Sequence, residues 1–156
     1  MMQRIQSLYL FLVFVFTVLF GLLPMAHFPT RAPGMPLRLF EQRIFFDAFE
    51  QLSRGWLGIA LLVLFMAILV LTFYTTFQFR RRLFQIKLGK LNILLHVALI
   101  LVTFFFIDNV RSQLGYPEFS YGSGVVFPLI SLLLILMANR AIRRDENLVR
   151  SADRIR

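Results

Sequence analysis

The chain has 156 residues, of which 58 % are hydrophobic and 15 % aromatic, and its formal net charge is +9. This composition is more apolar than that of an ordinary soluble domain, so it predicts a membrane protein. The lack of cysteine excludes disulfides, thiol catalysis and thiolate metal sites. The basic residues flank apolar runs instead of lining a polar domain, which predicts contacts with anionic lipids and argues against a nucleic-acid partner.

The first apolar segment covers residues 5–26 and is long enough to cross about 30 Å of hydrocarbon. A cleaved signal peptide is the alternative, because Arg4 precedes the apolar run. The run is longer than the about 7–15 apolar residues of a signal peptide, and Pro24-Met25-Ala26 lacks the two small residues that a cleavage site needs. We therefore expect a retained membrane span.

Residues 27–54 form the predicted first outer loop, in which prolines and a glycine stop any continuing helix. From residue 37 to residue 52 the apolar residues return at intervals of three and four, with charged residues between them. This pattern predicts an amphipathic helix that lies either at the bilayer surface or over the outer mouth of the bundle.

Three further apolar segments predict spans at about 55–79, 89–107 and 121–140. The turn between the second and third spans contains basic residues and no acidic ones: Arg80, Arg81, Arg82, Lys87 and Lys90. Such residues stay in the cytoplasm, because moving each through hydrocarbon costs about 2.5–3.5 kcal/mol. The second outer loop is slightly acidic and rich in glycine, which predicts turns and no folded module. Four spans with both termini in the cytoplasm satisfy this charge pattern.

Residues 141–156 are predicted to continue helically as a basic tail along the inner membrane surface. In one interpretation the tail contacts lipid headgroups. In the other it docks a cytoplasmic protein partner, because its acidic residues and apolar stripe exceed what lipid binding needs. The candidate docking residues are Arg143, Arg144, Asp145, Glu146, Arg150, Asp153 and Arg154.

Three stretches of the chain are similar to one known family: MQRIQSLYL, RRRLFQIKLGKLNILL and ANRAIRRDENLVRSADRIR. Together they resemble a family of small four-helix membrane proteins of Bacteroidetes, which is known only as domain of unknown function 4293. The resemblance covers nearly the whole chain and is most specific in the tail. It implies a bacterial inner-membrane location and no assigned activity, and it supplies no catalytic residues.

His96 is the one titratable residue predicted well inside the hydrocarbon, which makes it a functional candidate. The alternative is a neutral imidazole that is hydrogen-bonded to a neighbour, for example Asn92 one turn earlier. A bis-histidine haem formed with His27 is not expected, because the two residues lie at different depths, whereas two copies of His96 could pair in a homodimer. No catalytic motif or phosphate loop occurs, so we expect neither an enzyme nor a bound cofactor or metal.

The sequence therefore predicts an all-α membrane protein, a single bundle of four spans with an amphipathic helix in the first outer loop. We expect a non-enzymatic structural or accessory subunit of a larger complex in the inner membrane. The alternative is a small transporter or channel, as a monomer or an oligomer, with His96 in a polar path. A binder of lipid or another apolar ligand is the third interpretation.

Overall fold

The computed structural model describes residues 3–30, 38–42, 55–78, 82–114 and 119–153. Most of these residues belong to four α-helices, which confirms the predicted all-α class: α1 Gln3–Leu22, α2 Trp56–Phe77, α3 Arg82–Leu114 and α4 Val126–Asp153. Helices suit these apolar sequences because backbone groups in hydrocarbon must find hydrogen-bond partners within their own segment. Where the membrane begins and ends along each helix stays a prediction.

Three helical segments are long and apolar enough to cross a membrane: Trp56–Phe77, Leu83–Gln113 and Ser123–Leu148. In α1 the apolar segment Gln6–Leu22 is shorter. The whole of α1 has 20 residues, which corresponds to a length of about 30 Å. The membrane character of the chain is thereby confirmed, while the crossing of the bilayer by α1 stays a prediction.

Each helix packs against two neighbours, α1 against α2 and α4, and α3 against α2 and α4. The buried residues of every helix recur at alternating intervals of three and four, the spacing with which side chains of nearly parallel helices interlock. These buried stripes contain Gln6, Leu10, Val13, Thr17 and Phe20 on α1; Gly58, Leu61, Phe65, Ile68, Thr72 and Thr75 on α2; Gln85, Gly89, Asn92, His96, Leu99, Thr103, Phe106 and Val110 on α3; and Pro128, Ser131, Ile135, Ala138, Ile142 and Asp145 on α4.

A small antiparallel sheet covers the end of the bundle at which α1 ends and α4 begins, here called the outer end. Its strands are β1 Ala26–Thr30, β2 Arg38–Gln42 and β3 Ser120–Tyr121, in the order β2-β1-β3. The register pairs Phe28 with Phe40 and His27 with Ser120. The Tyr121 ring meets the Phe104 ring of α3 edge-on at 5.5 Å, so the sheet is attached to the helices by an aromatic contact.

The strand β2 corrects part of the prediction for the first outer loop. The helical periodicity over residues 37–52 predicted an amphipathic helix, but residues 38–42 are extended and pair with β1. The physical reason is that helical periodicity describes the side chains of one segment, whereas the backbone groups of β2 are satisfied by pairing with the preceding strand, β1. Residue 37 and residues 43–52 of the predicted helix lie outside the described residues.

The second outer loop was predicted to consist of turns, and its end instead supplies β3. After β3 the backbone N–H of Gly122 donates to Met25 O at 2.8 Å, and that of Gly124 donates to Pro24 O at 2.9 Å. A Cβ on Gly122 would lie 2.1 Å from Pro24 O, so this close approach requires glycine. The segment therefore joins the end of α1 to the start of α4.

Candidate functional site

The buried stripes are polar at one end of the bundle and apolar at the other. The polar end, here called the inner end, is the one at which Gln6 of α1 faces Asp145 of α4. We call its buried polar side chains the polar column: Gln6, Thr72, Thr75, Gln85, Asn92, His96, Ser131, Asn139 and Asp145. Sequence reasoning singled out only three of them, His96, Asn92 and Asp145, although polar residues at three-to-four spacing on α3 were a usable signal.

His96 lies at the deep end of the polar column and is fully buried. Its Nδ1 lies 3.0 Å from the backbone carbonyl oxygen of Asn92, an atom that can only accept a hydrogen bond. In a neutral imidazole, Nδ1 therefore carries the hydrogen and Nε2 carries the lone pair. The buried Nε2 has no hydrogen-bond partner among the described residues.

Two side-chain amides of α3 reach across to α2. Asn92 Nδ2 donates to Thr72 Oγ1 at 2.9 Å, and Gln85 Nε2 donates to the backbone carbonyl of Thr75 at 3.2 Å. Because that carbonyl only accepts, the Gln85 amide has its NH₂ toward α2 and its Oε1 turned away. Within the described part of the chain, Gln85 Oε1 and Asn92 Oδ1 are buried without a partner.

The fourth helix brings Ser131 and Asn139 to the polar column. A Cβ on Gly89 would lie 2.0 Å from Asn139 Oδ1, so glycine at this position makes room for the Asn139 side chain. From this contact His96 lies seven residues along α3 and Ser131 eight residues back along α4, which is about 10–12 Å toward the outer end. His96 and Ser131 therefore lie at similar depth. Ser131 Oγ and Asn139 Nδ2 are likewise buried without a partner among the described residues.

Gln6 and Asp145 form the innermost part of the column. Gln6 Nε2 donates to Asp145 Oδ2, and the two residues are only 5 % and 7 % exposed. This contact corrects two expectations about the tail. Asp145 faces α1 instead of an exposed docking surface, and with Ile142 it holds α4 in the bundle up to this point instead of along the membrane surface. The contact joins residues that are 139 positions apart in the sequence.

The outer half of the bundle contains no comparable set of unpartnered buried atoms in the described ranges. Its core consists mainly of large apolar side chains, among them Phe20, Phe65 and Phe106. Thr17 and Thr103 donate their hydroxyls to carbonyls of their own helices, at 2.8 and 2.7 Å. The polar column thus ends near the depth of His96.

The other predicted residues lie on the surface or outside the described ranges. Lys87, Lys90, Arg143 and Arg144 are exposed, Glu146 is half-buried, and Arg82 begins α3. Arg150 and Asp153 belong to the end of α4, while Arg80, Arg81 and Arg154 are outside the described residues.

The ion pair of Asp108 with Arg111 and the second histidine, His27, lie at the outer end. Asp108 and Arg111 form an exposed ion pair, with Arg111 Nη1 4.0 Å from Asp108 Oδ1. His27 lies on β1, far in depth from His96, as the argument against a haem within one chain requires. In the part of the chain that the structure describes, no three His, Asp or Glu side chains come together as metal ligands.

Comparison with known proteins gives a family and no activity. The family model described as "Domain of unknown function (DUF4293)" matches residues 2–155. The chain therefore belongs to this family, which confirms the resemblance drawn from the sequence. No curated protein and no solved structure matches the chain. The function proposed for this chain therefore rests on the residues of the polar column.

Proposed function

We propose that this chain is a small non-enzymatic membrane transporter or channel in which the polar column binds the transported species and His96 marks its deep end. The observation that carries this proposal is the set of buried polar atoms without partners in the described residues: Gln85 Oε1, Asn92 Oδ1, His96 Nε2, Ser131 Oγ and Asn139 Nδ2. Each such atom costs about 1–3 kcal/mol when nothing bonds to it. A polar species inside the column would offset that cost.

A purely structural role explains only part of this polarity. Polar side chains in membrane bundles often bond across helices, and the bond from Asn92 to Thr72 does so. Structural polar groups are expected to be satisfied, however, and five atoms of the column have no partner in the described residues. His96 is an ionisable residue whose Nε2 has no partner in the described residues, and at such depth this favours a functional role over a structural one.

The proposed setting is the bacterial inner membrane, with the inner end of the bundle and both termini in the cytoplasm. The positive-inside rule supports this orientation, because the exposed cations Lys87, Lys90, Arg140, Arg143 and Arg144 all lie toward the inner end. The natural absence of cysteine permits a clean test. In intact cells, a membrane-impermeant maleimide should label Asp108→Cys and leave Lys87→Cys unlabelled, and the reverse pattern would overturn the orientation.

The transport proposal is tested with purified protein in liposomes. Pyranine inside the vesicles reports proton flux, and light scattering reports swelling under gradients of ammonium salts and small neutral solutes. We expect flux above that of empty liposomes, and we expect His96→Phe to reduce it to that background. Val97→Phe is the matched control, because it adds the same ring one residue away on the exposed face of α3.

Two results would contradict the transport proposal. One is a wild-type flux equal to that of empty liposomes for every solute. The other is an equal loss of flux in His96→Phe and Val97→Phe, which would assign the effect to general disruption of the helix. Size-exclusion chromatography of each variant checks that it remains folded.

An accessory subunit of a larger membrane complex is the second candidate function. It is favoured by the exposed face at the inner end of α4, which carries Arg140, Arg143 and Arg144 together with Leu148. Since Asp145 faces α1, this face is basic and suits anionic lipid or an acidic partner surface.

The test of the accessory role is co-purification in mild detergent from the native host. Truncation of the tail is a poor variant, because Ile142 and Asp145 are packed in the bundle. The double substitution Arg143→Gln and Arg144→Gln leaves that packing in place. A stoichiometric partner lost in this variant supports the accessory role, and a lone monomer or homo-oligomer in the wild type counts against it.

A further inference from the structure

We infer that the polar column takes a small cation that donates hydrogen bonds, hydronium or ammonium, and that this cation reaches His96 from the inner end past Gln6 and Asp145. The inference deepens the proposed transport function and rests on it for its physiological meaning. The binding chemistry can be tested without transport.

The first support is that α3 presents acceptors to the column. His96 Nδ1 and Gln85 Nε2 face backbone carbonyls, so the free atoms of these side chains are the acceptors Nε2 and Oε1. With Asn92 Nδ2 bonded to Thr72, its free atom is the acceptor Oδ1. A species that satisfies all three must bring N–H or O–H groups.

The second support is charge. Among the buried side chains of the described residues, Asp145 is the only charged one, and His96 is the only other titratable one. The buried polar side chains of α4 and α2 nearest in depth to His96 and Asn92, which are Ser131 and Thr72, are neutral. The column also contains an unpartnered donor, Asn139 Nδ2, but the Asp145 carboxylate at its inner end attracts a cation and repels an anion.

The third support is size. Where α3 and α4 meet, the side chain of Asn139 already occupies the place that a Cβ on Gly89 would take. His96 Nε2 and Ser131 Oγ lie at similar depth, and both are buried without a partner among the described residues, so we expect a species about the size of water between them. Hydronium and ammonium are of this size.

The route of access follows from the two ends of the bundle. Toward the outer end the path meets Leu99 and Phe106, both fully buried. Toward the inner end the buried Ile135 and Ile142 of α4 alternate with Asn139 and Asp145, and the path ends at the Gln6–Asp145 hydrogen bond, a contact between two polar side chains that can separate. The structure is therefore closed to the outer side, and the Gln6–Asp145 pair acts as the inner gate.

The chemical step at His96 is a simple proton balance. Hydronium transfers one proton to the Nε2 lone pair and leaves as water, while Nδ1–H stays bonded to the Asn92 carbonyl. The resulting imidazolium donates from both nitrogens. Ammonium would instead donate one N–H to Nε2 without transfer of the proton.

The experiment is ¹⁵N NMR of the histidine ring in full-length protein in liposomes, with His27→Gln so that only His96 reports. We expect the Nε2 signal to move from an unprotonated toward a protonated or hydrogen-bonded position. Acidification alone tests hydronium, and ammonium chloride at constant pH tests ammonium. Potassium chloride is the matched control, because potassium has nearly the size of ammonium and donates no hydrogen bond.

The gate is tested by Asp145→Asn, which keeps the shape and removes the charge. We expect it to weaken the response at least tenfold in concentration of the active cation, while Arg144→Gln on the exposed face leaves the response unchanged. The inference is overturned by an Nε2 signal that moves with neither acid nor ammonium, by an equal effect of potassium, or by a response indifferent to Asp145→Asn.

The outcomes separate this inference from the transport proposal. A flux of a neutral solute that needs His96, together with a silent Nε2 signal, keeps the transport function and rejects the cation. A responding Nε2 signal without any flux keeps the cation site and rejects transport.

Discussion

The inner and outer halves of the bundle share one packing geometry and contain opposite chemistry. In both halves the buried positions follow intervals of three and four. In the outer half these positions hold Phe20, Phe65, Phe106 and similar side chains, closed off by a three-stranded sheet. In the inner half they hold amides, hydroxyls, an imidazole and a carboxylate among apolar residues such as Leu10 and Ile142.

The difference indicates that the apolar packed core and the proposed binding site lie at different depths of the bundle. An apolar core gains dispersion contacts without any polar group to satisfy. A polar core of equal length carries five unpartnered atoms in the described residues, which is a cost that stability alone would not require. We therefore assign stability mainly to the outer half and binding to the inner half.

The largest expected effect lies in the outer core. Phe65 is buried against Phe20 with ring centroids 6.2 Å apart, so Phe65→Ala should lower the free energy of unfolding by about 3–5 kcal/mol. The measurement is reversible unfolding in bicelles with increasing SDS. The control is Phe105→Ala, since Phe105 is 65 % exposed. Equal losses in both variants would show that the outer half is not a packed core.

The second effect tests the inner gate. Gln6→Ala leaves the buried Asp145 carboxylate without its amide donor and should lower the free energy of unfolding by about 1.5–3 kcal/mol. Replacing both residues by leucine should recover most of this loss and abolish the response of His96 to cations. A double variant that stays as unstable as Gln6→Ala would argue against this account of the pair.

The third effect concerns the joint between the sheet and α4. Gly122→Ala places a Cβ 2.1 Å from Pro24 O and disturbs the bond from the Gly122 N–H to Met25 O. We expect a loss of about 1–3 kcal/mol in the free energy of unfolding. Ser123→Ala is the control, because Ser123 is exposed and adjacent. A loss of the same size in the control would refute the close-approach argument.

The smallest effect on stability is expected at Gly89. Alanine there would push against the Asn139 side chain, whose end can rotate away, so the loss should stay below about 1 kcal/mol. The displaced amide should nevertheless weaken the cation response of His96. Adding Asn139→Ala should remove the clash, and a double-mutant cycle measures the coupling between the two positions. Strict additivity would mean that they do not interact.

The candidate site shows which of its residues and contacts the local sequence does not predict. His96 and Asn92 could be chosen from sequence because one is ionisable in an apolar run and the other lies one turn before it. The hydrogen bond of His96 goes to the Asn92 backbone, while the Asn92 side chain bonds to Thr72, and no spacing rule separates these two outcomes. Ser131 and Asn139 could be recognised only from the packing of α4 against α3.

The sequence by itself determined that this is a helical membrane protein, with charges that predict its orientation. It could do so because length, hydropathy and helix formation are local properties in a solvent that leaves the backbone no other partner. Only the tertiary structure decided that residues 38–42 pair as a strand, that Asp145 faces Gln6, and that Gly89 makes room for Asn139. The contacts of Asp145 with Gln6 and of Gly89 with Asn139 join residues far apart in the sequence, and the strand forms only through bonds to β1. The free energy of each contact therefore depends on the partner and not only on the segment that contains the residue.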